Sequence, residues 1–121
     1  MTDKVVVLST CGSLQEASRI ARALVEQRLA ACVNVTGPIR SVYRWEGRVC
    51  DEDEVLLVVK TSRSLFDPVR RAIEKLHGYQ VPEVICLPVI DASPNYLNWL
   101  SAAVEGEAEA PARRGSRRKK K

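Results

Sequence analysis

The side chains able to do chemistry in this 121-residue chain are few. There is one histidine, His77, and there are four cysteines, Cys11, Cys32, Cys50 and Cys86. An imidazole suits copper or zinc and a thiolate favours Cu(I). His77 and Cys11, with the carboxylate of Glu83, are therefore the candidate metal ligands, meeting across a subunit boundary. The competing reading places His77 at a helix C-terminus, where the helix dipole favours its charged form. So small a ligand set would hold an ion weakly and exchangeably, because structural zinc takes four ligands. Cys11 lies just before a helix start, a position that lowers a thiol pKa and favours reactivity. No third residue stands at a spacing that would orient a Cys–His pair for nucleophilic attack, and no enzymatic activity is expected.

A second set of residues is suited to a ligand pocket between subunits: Lys60, Tyr79, Glu83 and Trp99. A lysine that ends an apolar strand is costly to bury without a carboxylate partner or an anionic ligand; otherwise it extends its ammonium to solvent. Tyr43 and Trp45 are expected to anchor a subunit interface, since aromatic residues dominate interface cores. The run Asp51-Glu52-Asp53-Glu54 lacks the layout and glycine of a calcium loop. It reads as a solvated acidic edge that discourages sheet-to-sheet aggregation.

These residues are positioned by a simple alternation of elements. Lys4 to Thr10 is a short apolar run, hence a buried strand, followed by a turn at Thr10-Cys11-Gly12-Ser13. Ser13 can cap a helix with Glu16 in the capping-box position. Ala17, Ile20, Ala21, Leu24 and Val25 recur at helical spacing and give a helix ending near Leu29. Ala31 to Val35 begins a second strand, interrupted at Gly37-Pro38, a pair that suggests a bend or bulge before Val42 to Trp45. Ser41 to Thr61 forms a long β-hairpin turning at Glu46-Gly47, with Val55 to Val59 as an apolar strand covered on both faces. Ser62 or Ser64 caps a second helix with Pro68 in its first turn. Its stripe is Leu65, Val69, Ile73 and Leu76, and it stops at His77-Gly78. Glu83 to Ile90 is a fourth strand and Ser93-Pro94 starts a short third helix.

The order β-α-β-β-α-β plus one helix is the α+β, ferredoxin-like sandwich. Two helices cover one face of an antiparallel sheet, leaving an apolar face and two long arms to be buried by other copies of the chain. Residues 1–104 form one domain. Residues 105–121 read as a disordered basic tail. That tail carries three acidic and seven basic residues, whereas the body has twelve of each sign. The folded part thus has no bias toward nucleic acid. The tail lacks aromatic residues for base stacking, and contact with nucleic acid or a membrane surface is not expected of it. There is no transmembrane segment and no signal-peptide layout. Widely spaced cysteines without Cys-x-x-Cys argue against a zinc ribbon or thioredoxin-like motif. They read as reduced thiols of a cytoplasmic protein, with Cys32 and Cys86 as buried small hydrophobes.

Several spaced motifs together carry a resemblance. They are Tyr43-x-Trp45-x-Gly47 leading to Lys60-Thr61, His77-x-Tyr79-x-x-Pro82-Glu83, the closing Tyr96-Leu97-x-Trp99-Leu100, and Leu29-Ala30-Ala31-Cys32-Val33-Asn34. Over residues 4 to 104 the chain resembles the CutA divalent-cation tolerance proteins. The resemblance implies a homotrimer of ferredoxin-like subunits, similar in architecture to the PII signalling proteins, with hairpins wrapping neighbouring subunits. It implies a non-catalytic role in copper or other divalent-metal tolerance. A PII-like regulator binding a small anionic ligand between subunits is the alternative. In the copper-binding bacterial pattern a cysteine ends the first strand and two adjacent histidines precede Tyr-x-x-Pro-Glu. Here Ser9 and Leu76-His77 occupy those positions, with Cys11 two residues beyond Ser9.

Overall fold

The computed structural model describes residues 1–105. The elements run β1 (Lys4–Cys11), α1 (Leu14–Glu26), β2 (Cys32–Trp45), β3 (Arg48–Ser62), a 3-10 turn (Arg63–Leu65), α2 (Phe66–Leu76), β4 (Ile85–Pro88) and α3 (Pro94–Glu105). The fold is α+β. The four strands form one sheet in the order β2-β3-β1-β4, antiparallel throughout. Glu105, expected to begin the tail, is instead the last residue of α3; the rest of the expected tail, 106–121, lies outside the described residues.

One face of the sheet is covered by α1 and α2. Strand alternation places Val5, Val7 and Cys11 of β1 beside Val55, Leu57 and Val59 of β3 on that face. These meet Ala17, Ile20 and Leu24 of α1 and Val69 and Ile73 of α2 in a single buried cluster. The side chains of Leu56 and Val58 point away from it and are half-buried, so β3 is fully covered on one face rather than both. Helix α3 packs against β3 and buries Leu100. Arg28, whose φ of 59° reverses the chain after α1, donates from Nη1 to the Ala103 carbonyl at 3.0 Å and ties α3 to that turn.

Strands β2 and β3 outrun the rest of the sheet. The β1 pairing ends at Cys11↔Val55, yet the β2–β3 ladder continues through seven more pairs, from Ile39↔Glu54 to Trp45↔Arg48. At about 3.4 Å per residue this arm projects roughly 24 Å. It closes at Glu46 and Gly47, with φ of 51° and 79°, the left-handed pair that a two-residue hairpin turn of matching twist requires.

The bulge expected at Gly37-Pro38 is present, within a strand that runs on through it, and several other local expectations are corrected. The register shifts by one residue between Val35 and Pro38, and β2 continues. Thr36 Oγ1 accepts the Leu56 N–H at 3.3 Å, so the bulge leaves that donor paired. Pro38, on an edge strand, costs the ladder nothing essential. Helix α1 ends at Glu26, three residues early. Neither Ser62 nor Ser64 caps α2: a 3-10 turn precedes it, Leu65 holds the cap position, and Ser62 Oγ instead accepts from Lys4 Nζ at 3.0 Å. The fourth strand is only Ile85–Pro88. Cys86 packs against the core from a half-buried position and Cys32 is also half-buried, while Cys11 is the fully buried thiol.

Ile73 is fully buried at the α2–sheet contact, and Leu14 at the start of α1 is 60% exposed. Ile73→Ala should lower unfolding stability by about 2–5 kcal/mol, and Leu14→Ala by no more than roughly 0.5 kcal/mol. Denaturant unfolding at fixed protein concentration measures both; equal losses would contradict this assignment of the core.

Candidate functional site

The site begins with the cap of α1. Ser13 Oγ accepts the Glu16 N–H at 3.1 Å, as expected of an N-cap. The Glu16 carboxylate does not complete a capping box. It reaches across to α2, where Oε2 accepts the Gly78 N–H at 2.7 Å. A Cβ at Gly78 would lie 2.9 Å from that oxygen, so the glycine serves close approach; its φ is not left-handed. His77, the residue ending α2, turns extended and lays its ring against the end of β1. Its Nε2 lies 2.6 Å from the Thr10 carbonyl oxygen. A carbonyl only accepts, so Nε2 carries the proton. Nδ1 then accepts the Tyr79 N–H at 3.0 Å.

Cys11, Glu16 and His77 thus come together, with one potential ligand atom of each lying within 4.8 Å of the others. Cys11 and His77, expected to meet across a subunit boundary, meet here within one chain, and the carboxylate beside them is Glu16, not Glu83. The donor chemistry does not fit a resident ion in this arrangement. Both His77 nitrogens are engaged by backbone groups, and Glu16 is engaged by Gly78. The Cys11 thiol is not activated by the start of α1: burial, reinforced by the Glu16 and Glu54 charges, pushes it up to about 11. Burial and the neighbouring carboxylates thus favour the protonated thiol. Ser9, where the resembled pattern has a cysteine, is fully buried, and its Oγ makes no hydrogen bond.

Tyr79 links this cluster to a second feature. Its ring stands 4.6 Å from that of His77, centroid to centroid, and packs over Gly12, where a Cβ would come within 3.3 Å of the phenol oxygen. The phenol donates to Glu54 Oε2 at 2.7 Å. Glu54 is only 7% exposed, so the acidic run is not uniformly a solvated edge. Burial and that hydrogen bond hold the Tyr79 phenol far above its ordinary range. Alongside, Tyr43 donates to Glu52 at 2.7 Å, which pushes its phenol up to about 12. Between the base of the arm and the segment after α2 lies a cleft of about 780 Å³, lined by Arg40, Tyr43, Trp45, Glu54, Tyr79 and Glu83 among others.

Of the expected pocket, Tyr79 and Glu83 line this cleft, but Lys60 and Trp99 do not. Lys60 is half-buried, paired in register with Val6 and Cys32, and makes no ion pair among the described residues. Trp99 stacks on Tyr96 of α3 at 5.5 Å. Tyr43 and Trp45, expected at an interface, are both about two-fifths exposed in the single chain. Glu16 and Glu54 were not marked as site residues: their partners, Gly78 and Tyr79, lie 62 and 25 residues away, and no local pattern announces such contacts.

A four-stranded antiparallel sheet, two covering helices and a projecting arm define an α+β protein of small, repeatedly solved type. Residues 5–103 match the family model described as CutA1 divalent ion tolerance protein. The chain belongs to this family. It is 46% identical over 95 residues to the divalent-cation tolerance protein CutA of Thermus thermophilus, covering 78% of this chain and 92% of that one. It is 43% identical over 96 residues to a chloroplastic CutA of Arabidopsis thaliana, covering 79% of this chain but about half, 53%, of that protein. Among solved structures, CutA from Xylella fastidiosa superposes with a TM-score of 0.83 at 35% identity, covering 85% of this chain and 99% of that one.

The raised Cys11 pKa fixes a sign. A group whose folded pKa lies above its unfolded value, here about 11 against 9.0, contributes stability that is present below pH 9 and is lost as pH climbs toward 11. Unfolding stability measured from pH 8 to 11 should fall, and Cys11→Ala should fall less steeply over the same window. Parallel slopes would show that the thiol ionises as readily folded as unfolded.

Proposed function

We propose that this chain acts in divalent-ion tolerance as a cytoplasmic homotrimer without catalytic turnover. The observation that carries this reading is the family match across nearly the whole described body, residues 5–103. The ferredoxin-like βαββαβ order and PII-like assembly belong to the same reading. They are supported by the antiparallel order β2-β3-β1-β4 and by apolar side chains left in the open: Val42 and Val49 on the arm, and Ile85, Leu87 and Ile90 around β4. Exposed apolar area of that extent is what interfaces cover. Four free thiols suit a reducing compartment, and among the described residues no helix is long and apolar enough to cross a membrane.

Copper or another divalent cation enters this reading as a weakly held, exchangeable ion. At Cys11, Glu16 and His77 it would compete with the hydrogen bonds to Thr10, Gly78 and Tyr79 and with the proton on a buried thiol. The regulatory alternative, an anionic ligand near Lys60, has less support, because the cleft excludes Lys60 and carries carboxylates.

Native mass spectrometry of protein grown in copper- and zinc-supplemented medium should show a trimer with substoichiometric metal that a chelator strips and that His77→Ala reduces further. A monomer would overturn the assembly. An ion that survives chelation would overturn weak exchange, and a metal-free trimer in both proteins would separate the tolerance role from metal binding.

A further inference from the structure

The arm distributes its charge unevenly. At its base Glu54 is only 7% exposed, and its carboxylate accepts from the neutral Tyr79 phenol at 2.7 Å, which leaves the buried charge uncompensated. Glu83 shares the wall of the same cleft. The arginine there, Arg40, is already engaged: Nε and Nη2 donate to the two carboxylate oxygens of Asp51 at 2.6 and 3.1 Å. At the tip, Arg44 and Arg48 flank the turn; both are exposed, and neither makes an ion pair among the described residues. Glu46 is the one carboxylate between them. Tip and base cannot satisfy each other within a chain, because Arg48 and Glu54 stand at opposite ends of the arm's β3 segment, roughly 20 Å apart at about 3.4 Å per residue.

Unlike patches that cannot meet within one chain can meet between chains, head to tail, and such a contact closes into a ring where the rotation allows. A guanidinium suits this cleft. Its plane stacks on the rings of Tyr43, Trp45 and Tyr79 while its N–H groups reach carboxylate oxygens. Other cations without an ion pair, such as Arg71 and Lys75, stand on a helix whose apolar face is already occupied by the sheet. The arm alone projects, and between its base and tip Val42 and Val49 are each 65% exposed, so apolar surface to be covered continues from one patch to the other. We propose that the cleft is the receptor for the arm tip of a second copy of this chain, with Arg44 and Arg48 of that copy directed at Glu54 and Glu83. The inference rests on the homotrimer reading and adds to it which surfaces meet: acidic base against basic tip, repeated around the ring.

Subunit exchange between unlabelled and isotope-labelled full-length protein, followed by native mass spectrometry, is readable however tight the assembly is. Arg44, Arg48 and Glu83 are all exposed in the single chain, so reversing their charge leaves the fold intact. The tip pair Arg44→Glu with Arg48→Glu should exchange about tenfold faster than the unaltered protein, or more. Adding Glu83→Arg to that pair restores an attraction and should slow exchange again relative to the tip pair alone. Arg71→Glu, an exposed reversal on α2, should leave the rate unchanged. A tip pair that is monomeric while the triple variant is trimeric supports the contact equally. A trimer whose tip pair exchanges no faster than Arg71→Glu, or a triple variant at least as fast as the tip pair, would overturn this contact and leave the homotrimer standing. A monomer in the unaltered protein would overturn the homotrimer itself, and the contact with it.

Discussion

The structure depends on the pairing of β3 along both of its edges. Its lower half, Val55 to Ser62, is hydrogen-bonded to β1 throughout and to β2 over most of its length, so its alternation is locked and every second side chain is delivered to the core. Slipping this register by one residue would send Val55, Leu57 and Val59 to the open face and bring Leu56, Val58 and Lys60 inward. The buried cluster, the seating of α1 and α2, and the place where β1 ends all follow from that register. So does Glu54, the first residue of the arm beyond the last β1 pair, Cys11↔Val55.

The two candidate sites are built at that same junction. Where β1 stops, the chain turns through Gly12 and Ser13 into α1, and α2 ends against the turn through His77. The imidazole acts there as a connector between backbones, taking the Tyr79 N–H on one nitrogen and donating to Thr10 from the other. That arrangement orients Tyr79 so that its phenol meets Glu54. A single short segment, 77 to 79, thereby couples the end of the core sheet to the base of the arm, and the cluster and the cleft are two sides of one tyrosine.

Much of this was legible in the chain before folding is considered. Unbroken apolar runs locate β1 and β3, period-3.6 stripes locate α1 and α2, Ser93-Pro94 marks the start of α3, and Glu46-Gly47 marks the hairpin turn. The capping of α1 by Ser13 is a local rule obeyed locally. What could not be read has a common physical character: groups with a good local option took a distant one. Ser62, able to cap α2, accepts from Lys4, 58 positions away, because a buried ammonium needs acceptors more than a helix end in water needs a cap. Glu16 leaves its own helix for Gly78. Glu54, one of four consecutive acidic residues, is singled out only because the register turns it toward Tyr79. The bulge that Gly37-Pro38 suggests was legible; what the sequence does not announce is its partner, the Thr36 hydroxyl that takes the Leu56 N–H.

The bulge at Thr36-Gly37 also separates two structural economies. Below it, β3 is paired with β1 as well as β2 and the sheet packs against the helices, so length is fixed. Above it, beyond the Tyr79 contact to Glu54 at its base, the ladder is built of cross-strand pairs repeating every two residues as far as Trp45↔Arg48. Adding or removing two residues from each strand would change the reach by about 7 Å while returning every side chain to its original face. The arm is in this sense a telescoping element: its span can be tuned in even steps without disturbing the core, whereas an odd step would invert its two faces and with them whatever it grips.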